Sequence, residues 1–158
     1  TDIGLVEAPI AAQSVKPTRV SIPCVCILRH DDPLAAEAVI TPAHLAERRL
    51  ISVYEDHHLD RRLKAAFVEA GVPLYSQFRC YFFAIMRNMV AGGSGVAIVD
   101  AINGCAPLND GVVWRPFAPE IRFDLDVITR ADASLQAPTM EFLELTVEQL
   151  REYQHLIP

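Results

Sequence analysis

The segment whose residues are best suited to bind a ligand is SQFRCYFF, residues 76–83, where a predicted strand is followed by a predicted helix. In open α/β sheets, ligands bind outside the carboxyl ends of strands. The helix lacks a Ser, Thr, Asp or Asn cap near Arg79 to Phe82, so its first N–H groups are left for water or an anion. Arg79 adds positive charge, and three aromatic residues add apolar walls: Tyr81, Phe82 and Phe83. The segment favours a carboxylate-bearing ligand. Alternatively, Phe82 and Phe83 belong to the hydrophobic core, and Arg79 only extends its charged end past apolar neighbours into water.

The four cysteines offer a second kind of chemistry, but their spacing is uninformative. Cys24 and Cys26 form C-x-C rather than the C-x-x-C of zinc ribbons and thioredoxin-like sites. On a strand both would point to the same face, among apolar neighbours, as small buried hydrophobes. A Cys–His nucleophile pair that uses Cys80 or Cys105 stays open, since such pairs are spatial rather than sequential.

Two further motifs look functional but fit structural roles better. The glycine-rich GGSG, residues 92–95, leaves a predicted helix and opens a strand, whereas a phosphate-binding loop does the reverse. It is typical of a helix C-cap and tight turn. His57 and His58, flanked by Asp56 and Asp60, lack the spacing of a metal site. We expect them at the solvated start of a helix, and we predict no metal.

Composition and charge restrict the function classes. The chain has 158 residues, 51% of them hydrophobic, and a net charge of −6. An acidic chain is a poor nucleic-acid binder, because phosphates require a basic face. Apolar runs stay below the roughly 18 residues that span a bilayer, and no signal peptide is visible. The chain opens on TDIGLV, which is typical of the inside of a strand, so we expect it to be part of a longer protein.

Hydrophobic periodicity predicts the elements that position these residues. Strands alternate with helices nearly throughout, which indicates an α/β fold with a largely parallel sheet. The strands are predicted at residues 2–6, 15–19 (as an edge or linker), 23–28, 50–54, 74–78, 95–99, 112–117 and 121–129.

Three helices are predicted from apolar stripes at helical spacing. The first would bury Leu59, Leu63, Ala66, Phe67 and Ala70. The second, from about Tyr81 to Ala91, would turn Phe82, Met86, Met89 and Val90 inward. The last would be capped by Ser134, carry Pro138 in its first turn, and bury Leu135, Phe142, Leu143, Val147 and Leu150.

An ordered set of segments resembles the LysR-type transcriptional regulators. MVAGGSGVAIV, residues 89–99, is similar to the family's helix–turn–strand segment. HDDPLA, residues 30–35, is similar to its H-P-L-A segment, with two aspartates that the usual pattern lacks. The other matching pieces are DIGLV (2–6), ITPAHLA (40–46), VWRPF (113–117), FDL (123–125) and FL (142–143).

The resemblance implies a fold like the type 2 periplasmic binding proteins, with two subdomains flanking a cleft. Residues 1–20 and 121–158 would belong to an incomplete subdomain I, and residues 21–120 to subdomain II. The family's winged helix-turn-helix and the first part of subdomain I would precede Thr1.

The resemblance also carries over positions of the effector site. Tyr81 and Phe82 stand where many members have Ser or Thr, which favours an aromatic wall over hydroxyl donors. Asp100 stands where many have Pro; it could bind an amino or guanidino group, or cap the helix that follows. Glu7 has the same two roles open. The full set of expected ligand-binding residues is Glu7, Arg79, Cys80, Tyr81, Phe82, Val99 and Asp100.

In function, the resemblance implies the effector-binding domain of a LysR-type regulator that senses a small carboxylate-bearing or amino-acid-like ligand. It implies DNA binding only through the preceding domain, no membrane contact, no cofactor, a cytoplasmic location and a homo-oligomer (dimer or tetramer). The alternative is a solute-binding protein of a transport system with the same fold. A Cys–His enzyme is the third hypothesis.

Overall fold

The computed structural model describes residues 2–10, 13–131 and 135–156, which form two compact units. Unit 1 is drawn from residues 1–23 and 123–158, and unit 2 is residues 24–122. Strand β2 (Val15–Arg29) begins in unit 1 and ends in unit 2. The two strands predicted over residues 15–19 and 23–28 are therefore one continuous strand of 15 residues.

The described residues of unit 1 form a three-stranded sheet and one helix. Its strands are β1 (Ile3–Glu7), the first part of β2, and β7 (Arg122–Arg130), in the order β1-β7-β2. β1 pairs antiparallel with β7. The helix α4 (Ala137–Gln154) buries Val147 and Leu150, because these two residues lie one turn apart on the same helix face.

Unit 2 is a five-stranded sheet with helices packed on it. The order is β6 (Val112–Pro116), β2, β5 (Val96–Asp100), β3 (Leu50–Val53) and β4 (Ser76–Cys80). β3 runs parallel to β4 and β5, so the carboxyl ends of these three strands lie at one edge. β2 runs antiparallel to β5 and β6. The sheet is therefore mixed rather than largely parallel as predicted.

The helix α1 (His58–Glu69) follows β3, and all but one of the apolar residues that were predicted to be buried on it are buried. Leu59, Leu63, Ala66 and Phe67 are buried. Ala70 is exposed, because the helix ends before it and Ala70 is the C-cap.

The helix α2 (Phe83–Ala91) begins two residues later than predicted. Met86 and Val90 are fully buried, and Met89 is half-buried. Phe82 precedes the helix and is 66% exposed, so its predicted inward orientation is wrong. The glycine turn forms as expected: Gly93 has φ +77° and the Ser94 N–H donates to the Met89 carbonyl oxygen. A short helix α3 (Ala101–Gly104) follows β5.

The final helix departs from the prediction on one face. Pro138 lies in its first turn as expected. Phe142 is 61% exposed rather than buried, and Leu135 and Leu143 are half-buried. The predicted cap Ser134 lies outside the described residues.

Candidate functional site

The junction between β4 and α2 carries two exposed aromatic side chains. Tyr81 is 74% exposed and Phe82 is 66% exposed. Phe82 occupies the N-cap position of α2 and makes no side-chain capping hydrogen bond. Contiguous exposed apolar surface can mark a binding site. The junction presents two exposed aromatic side chains at the carboxyl end of β4, and their role as the wall of a ligand site stays a prediction.

Tyr81 is part of an aromatic cluster that includes the residues after β3. Its ring stacks on Tyr54, with centroids 4.9 Å apart and planes at 25°. The His57 ring meets Tyr54 edge-on at 5.2 Å and Phe83 at 5.7 Å. His57 also caps α1, since its Nδ1 accepts a hydrogen bond from the Leu59 N–H at 3.0 Å. This cluster joins the start of α1 to the start of α2.

Arg79 lies next to these aromatic residues and is engaged by two carboxylates. Its guanidinium lies 3.2 Å from Glu55 Oε1 and 3.5 Å from Asp60 Oδ1. Asp60 is almost inaccessible, and its other oxygen lies 2.6 Å from Lys64 Nζ. The Arg79 charge is therefore already compensated, and a ligand carboxylate at this guanidinium would compete with Glu55.

The carboxyl end of β5 carries Val99 and Asp100, both buried. β3 lies between β5 and β4, so the sheet places these residues at the same edge as the β4–α2 junction but not next to it. Asp100 caps α3 through the Asn103 N–H at 3.1 Å and accepts from Asn103 Nδ2 at 2.8 Å. Burial raises the pKa of the Asp100 carboxyl, and the hydrogen bonds from Asn103 oppose that shift.

The thiols lie in environments that suppress their reactivity. Burial raises the pKa of Cys26 and of Cys105 to about 12. Burial also raises the pKa of Cys80, whose Sγ lies 3.3 Å from Met89 Sδ. Because the thiolate is the nucleophile, these shifts oppose a Cys–His nucleophile pair at Cys80 or Cys105.

Glu7 ends β1 in unit 1. It is half-buried and lies opposite Leu125 in the ladder with β7.

The sequence profile of one protein family, described as LysR substrate binding domain, matches residues 1–151. The chain belongs to the LysR substrate-binding domain family. The resemblance on which the sequence prediction relied is thus confirmed.

Relatives of this LysR substrate-binding domain include named regulators. The DNA-binding transcriptional dual regulator OxyR of Escherichia coli K12 is 30% identical over 118 residues, which are 73% of this chain and 38% of the relative. The hydrogen peroxide-inducible genes activator of Escherichia coli O6:H1 matches with the same values. The chain therefore spans less than half the length of these relatives.

Solved structures show the same fold. The regulatory domain of Synechocystis PCC6803 CcmR, in complex with 2-PG, has a TM-score of 0.67 at 16% identity, covering 99% of this chain and 75% of that one. The effector-binding domain of QuiR, in complex with shikimate, has a TM-score of 0.68 at 14% identity, covering 99% and 74%. The LysR domain described here thus has the periplasmic-binding-protein-like fold, as predicted.

Sequence reasoning missed several residues of this LysR domain's candidate site. Tyr54 was assigned only to a strand, and His57 was expected at a solvated helix start, yet His57 is 6% exposed. Asp60 was noted only as a neighbour of His57 and His58 at the start of a helix, yet it is buried and ion-paired. The sequence did contain a signal for these contacts of Asp60. Asp60 is next to Leu59 of the buried stripe and four residues before Lys64, the spacing at which opposite charges pair on a helix.

The described residues contain neither a candidate metal centre nor a helix that could span a membrane. No group of three or more His, Cys, Asp and Glu side chains among residues 2–10, 13–131 and 135–156 is arranged to hold a metal ion. Within the same ranges, none of the helices combines the length and apolarity needed to cross a membrane.

Proposed function

We propose that this LysR substrate-binding domain is the effector sensor of a transcriptional regulator, and that it binds a small organic ligand at the β4–α2 junction. The observation that carries the proposal is the exposed pair Tyr81 and Phe82 at the carboxyl edge of the sheet. DNA would be bound by another domain of the full-length protein, which would act as a homo-oligomer in the cytoplasm.

The exposed rings indicate how the ligand would be held. Fully burying an aromatic side chain removes about 150–250 Å² from water, which is a large favourable contribution to binding. The Tyr54 ring stacks on Tyr81 and would limit the rotational freedom that Tyr81 loses on binding. The apolar part of the ligand would therefore cover Tyr81 and Phe82.

The polar part of the ligand would have to compete for groups that already have partners within the protein. Arg79 is compensated by Glu55 and Asp60, and Asp100 already caps α3. A carboxylate-bearing or amino-acid-like ligand therefore either displaces Glu55, which is the exposed partner of Arg79, or uses backbone groups. Glu7, Cys80 and Val99 are further proposed contacts of the ligand, each supported only by its position. Relatives solved with 2-PG and shikimate support a small ligand.

Regulation would follow from differential binding. A ligand that binds one conformation of the regulator better than another shifts the population toward that conformation. Typical coupling is about 1–3 kcal/mol. A solute-binding protein of a transport system stays the alternative, and the named regulators among the relatives weigh against it.

A thermal-shift screen of the full-length protein with amino acids, opines and small carboxylates tests the proposal. Binding should stabilise the native state by about 2.7 kcal/mol at a hundredfold excess over Kd. The shift should be lost in Phe82→Ala and Tyr81→Ala but kept in Phe142→Ala, a matched exposed aromatic residue on α4. Shifts that survive both junction variants would contradict this site.

A further inference from the structure

Unit 2 also has a groove that shares only Arg79 with the effector proposal. Its volume is about 640 Å³, and it is lined by residues 46–49 before β3, by Lys64 of α1 and by residues 74–77 and Arg79. Binding sites for small molecules typically have volumes of about 300–1,000 Å³. The lining contains the four cations Arg48, Arg49, Lys64 and Arg79 but a single carboxylate, Glu47, in a chain of net charge −6.

Three of the four cations are fixed by carboxylates. Arg48 is ion-paired with Asp32. Lys64 and Arg79 share the carboxylate of Asp60, which is 1% exposed. Arg79 also pairs with Glu55. These pairs hold the cationic groups in place and compensate their charge, so they shape the groove without giving it a net charge.

Arg49 differs from the other three. Its side chain is exposed and, within the part of the chain that the structure describes, has no ion pair or hydrogen bond. Its backbone is well fixed, because the Arg49 carbonyl oxygen accepts from the Val96 N–H at 3.0 Å. A Cβ on Gly95 would lie only 2.1 Å from that oxygen, so the two backbones are in close contact. A free guanidinium on a rigid backbone supplies the positive charge of the groove.

We propose that this groove is a second ligand site, and that it binds a small oxyanion of the phosphate class through the Arg49 guanidinium. The planar fork of an arginine matches two oxygens of a phosphate. Lys64 and the amide of Gln77 would be the further donors. Arg79 lines both this groove and the effector site, but the proposal rests on Arg49, and Tyr81 and Phe82 do not line the groove.

Glu47 allows a prediction in which two variants change the anion affinity in opposite directions. Its carboxylate lines the same groove as Arg49 and would repel an anion there. Neutralising Glu47 should therefore tighten anion binding, whereas neutralising Arg49 should weaken it. A surface that merely attracts anions by its overall charge would respond equally to any arginine.

The test is titration of the full-length protein with inorganic phosphate, read by thermal shift and by calorimetry against sodium chloride at matched ionic strength. We expect one saturable site. Arg49→Gln should weaken binding about tenfold, and Glu47→Gln should tighten it about threefold. Arg61→Gln is the matched control: Arg61 is an exposed arginine of α1 that contacts the Asp56 carbonyl oxygen and the His58 ring, and its variant should bind like wild type.

Three results would overturn the proposal. They are the absence of saturable binding, an equal loss in Arg49→Gln and Arg61→Gln, and loss of phosphate binding in Tyr81→Ala, which would move the anion to the effector site. Retained phosphate binding in Tyr81→Ala, together with the loss in Arg49→Gln, would establish two separate sites.

Discussion

At the scale of single residues, Arg79 is the side chain whose role changed most between sequence and structure. The sequence favoured it as an anion anchor, while the structure pairs it with Glu55 and with the buried Asp60. We expect Arg79→Ala to lower the free energy of unfolding by about 1–3 kcal/mol, because it removes a charged partner from a buried carboxylate. Urea denaturation measures this, and Arg61→Ala should change stability by less than about 0.5 kcal/mol. An unchanged midpoint in Arg79→Ala would contradict the structural role.

The thiols give a second prediction at this scale. The pKa of Cys26 and of Cys105 is raised to about 12 from an ordinary value of 9.0, so at neutral pH both stay protonated. Some relatives are named as hydrogen peroxide-inducible activators, but protonated thiols react slowly with peroxide. We expect native protein at pH 7 to show no oxidation of Cys26, Cys80 or Cys105 by equimolar peroxide under conditions that oxidise free cysteine, as measured by mass spectrometry. Rapid sulfenic acid formation at Cys26, Cys80 or Cys105 would contradict this.

At the scale of elements, one carboxylate connects the three strands of unit 1. Asp126 of β7 lies opposite Val6 of β1, pairs with Arg19 of β2 at 2.9 Å and accepts from the Ile10 N–H at 3.3 Å. The hydrogen bond from Arg19 lowers the pKa of Asp126. A lowered pKa contributes stability that is present above the unfolded value, about 3.9, and is lost as pH falls through the native value.

We therefore expect Asp126→Asn to be less stable than wild type at pH 7, and the two proteins to converge as pH falls below about 4. Stability measured by urea denaturation between pH 3 and pH 7 tests this. Glu69→Gln, an exposed carboxylate at the end of α1, should follow wild type throughout. A constant difference between Asp126→Asn and wild type at all pH values would exclude the titration as its cause.

The elements also show how far the sequence could predict this molecule. The stripe of α1 and the glycine turn after α2 were predictable, since both depend on local spacing and backbone conformation. The exposure of Phe82 was not predictable, because a stripe of apolar residues does not show where the helix begins. The ion pair between Asp60 and Arg79 was also hidden, because it joins α1 to β4, and contacts between elements distant in sequence leave no local pattern.

At the scale of the whole molecule, the acidic charge of this domain opposes direct contact with DNA. At a net charge of −6 the chain itself should not bind DNA. We expect the isolated chain to show no DNA binding at about 50 mM salt, while the full-length protein binds its site and changes that affinity about 5–150-fold on adding effector. Fluorescence anisotropy with labelled DNA measures both.

The variant Phe82→Ala makes this last prediction specific. It should leave DNA affinity without effector unchanged, because Phe82 lies in the substrate-binding domain and the proposed DNA contacts lie elsewhere, and it should abolish the change that effector causes. Phe142→Ala should preserve both. If Phe82→Ala altered DNA affinity in the absence of effector, the exposed ring would be holding one conformation of the regulator rather than contacting the ligand. Effector binding measured directly on Phe82→Ala separates these cases, because only loss of ligand contact lowers that affinity while DNA binding without effector stays the same.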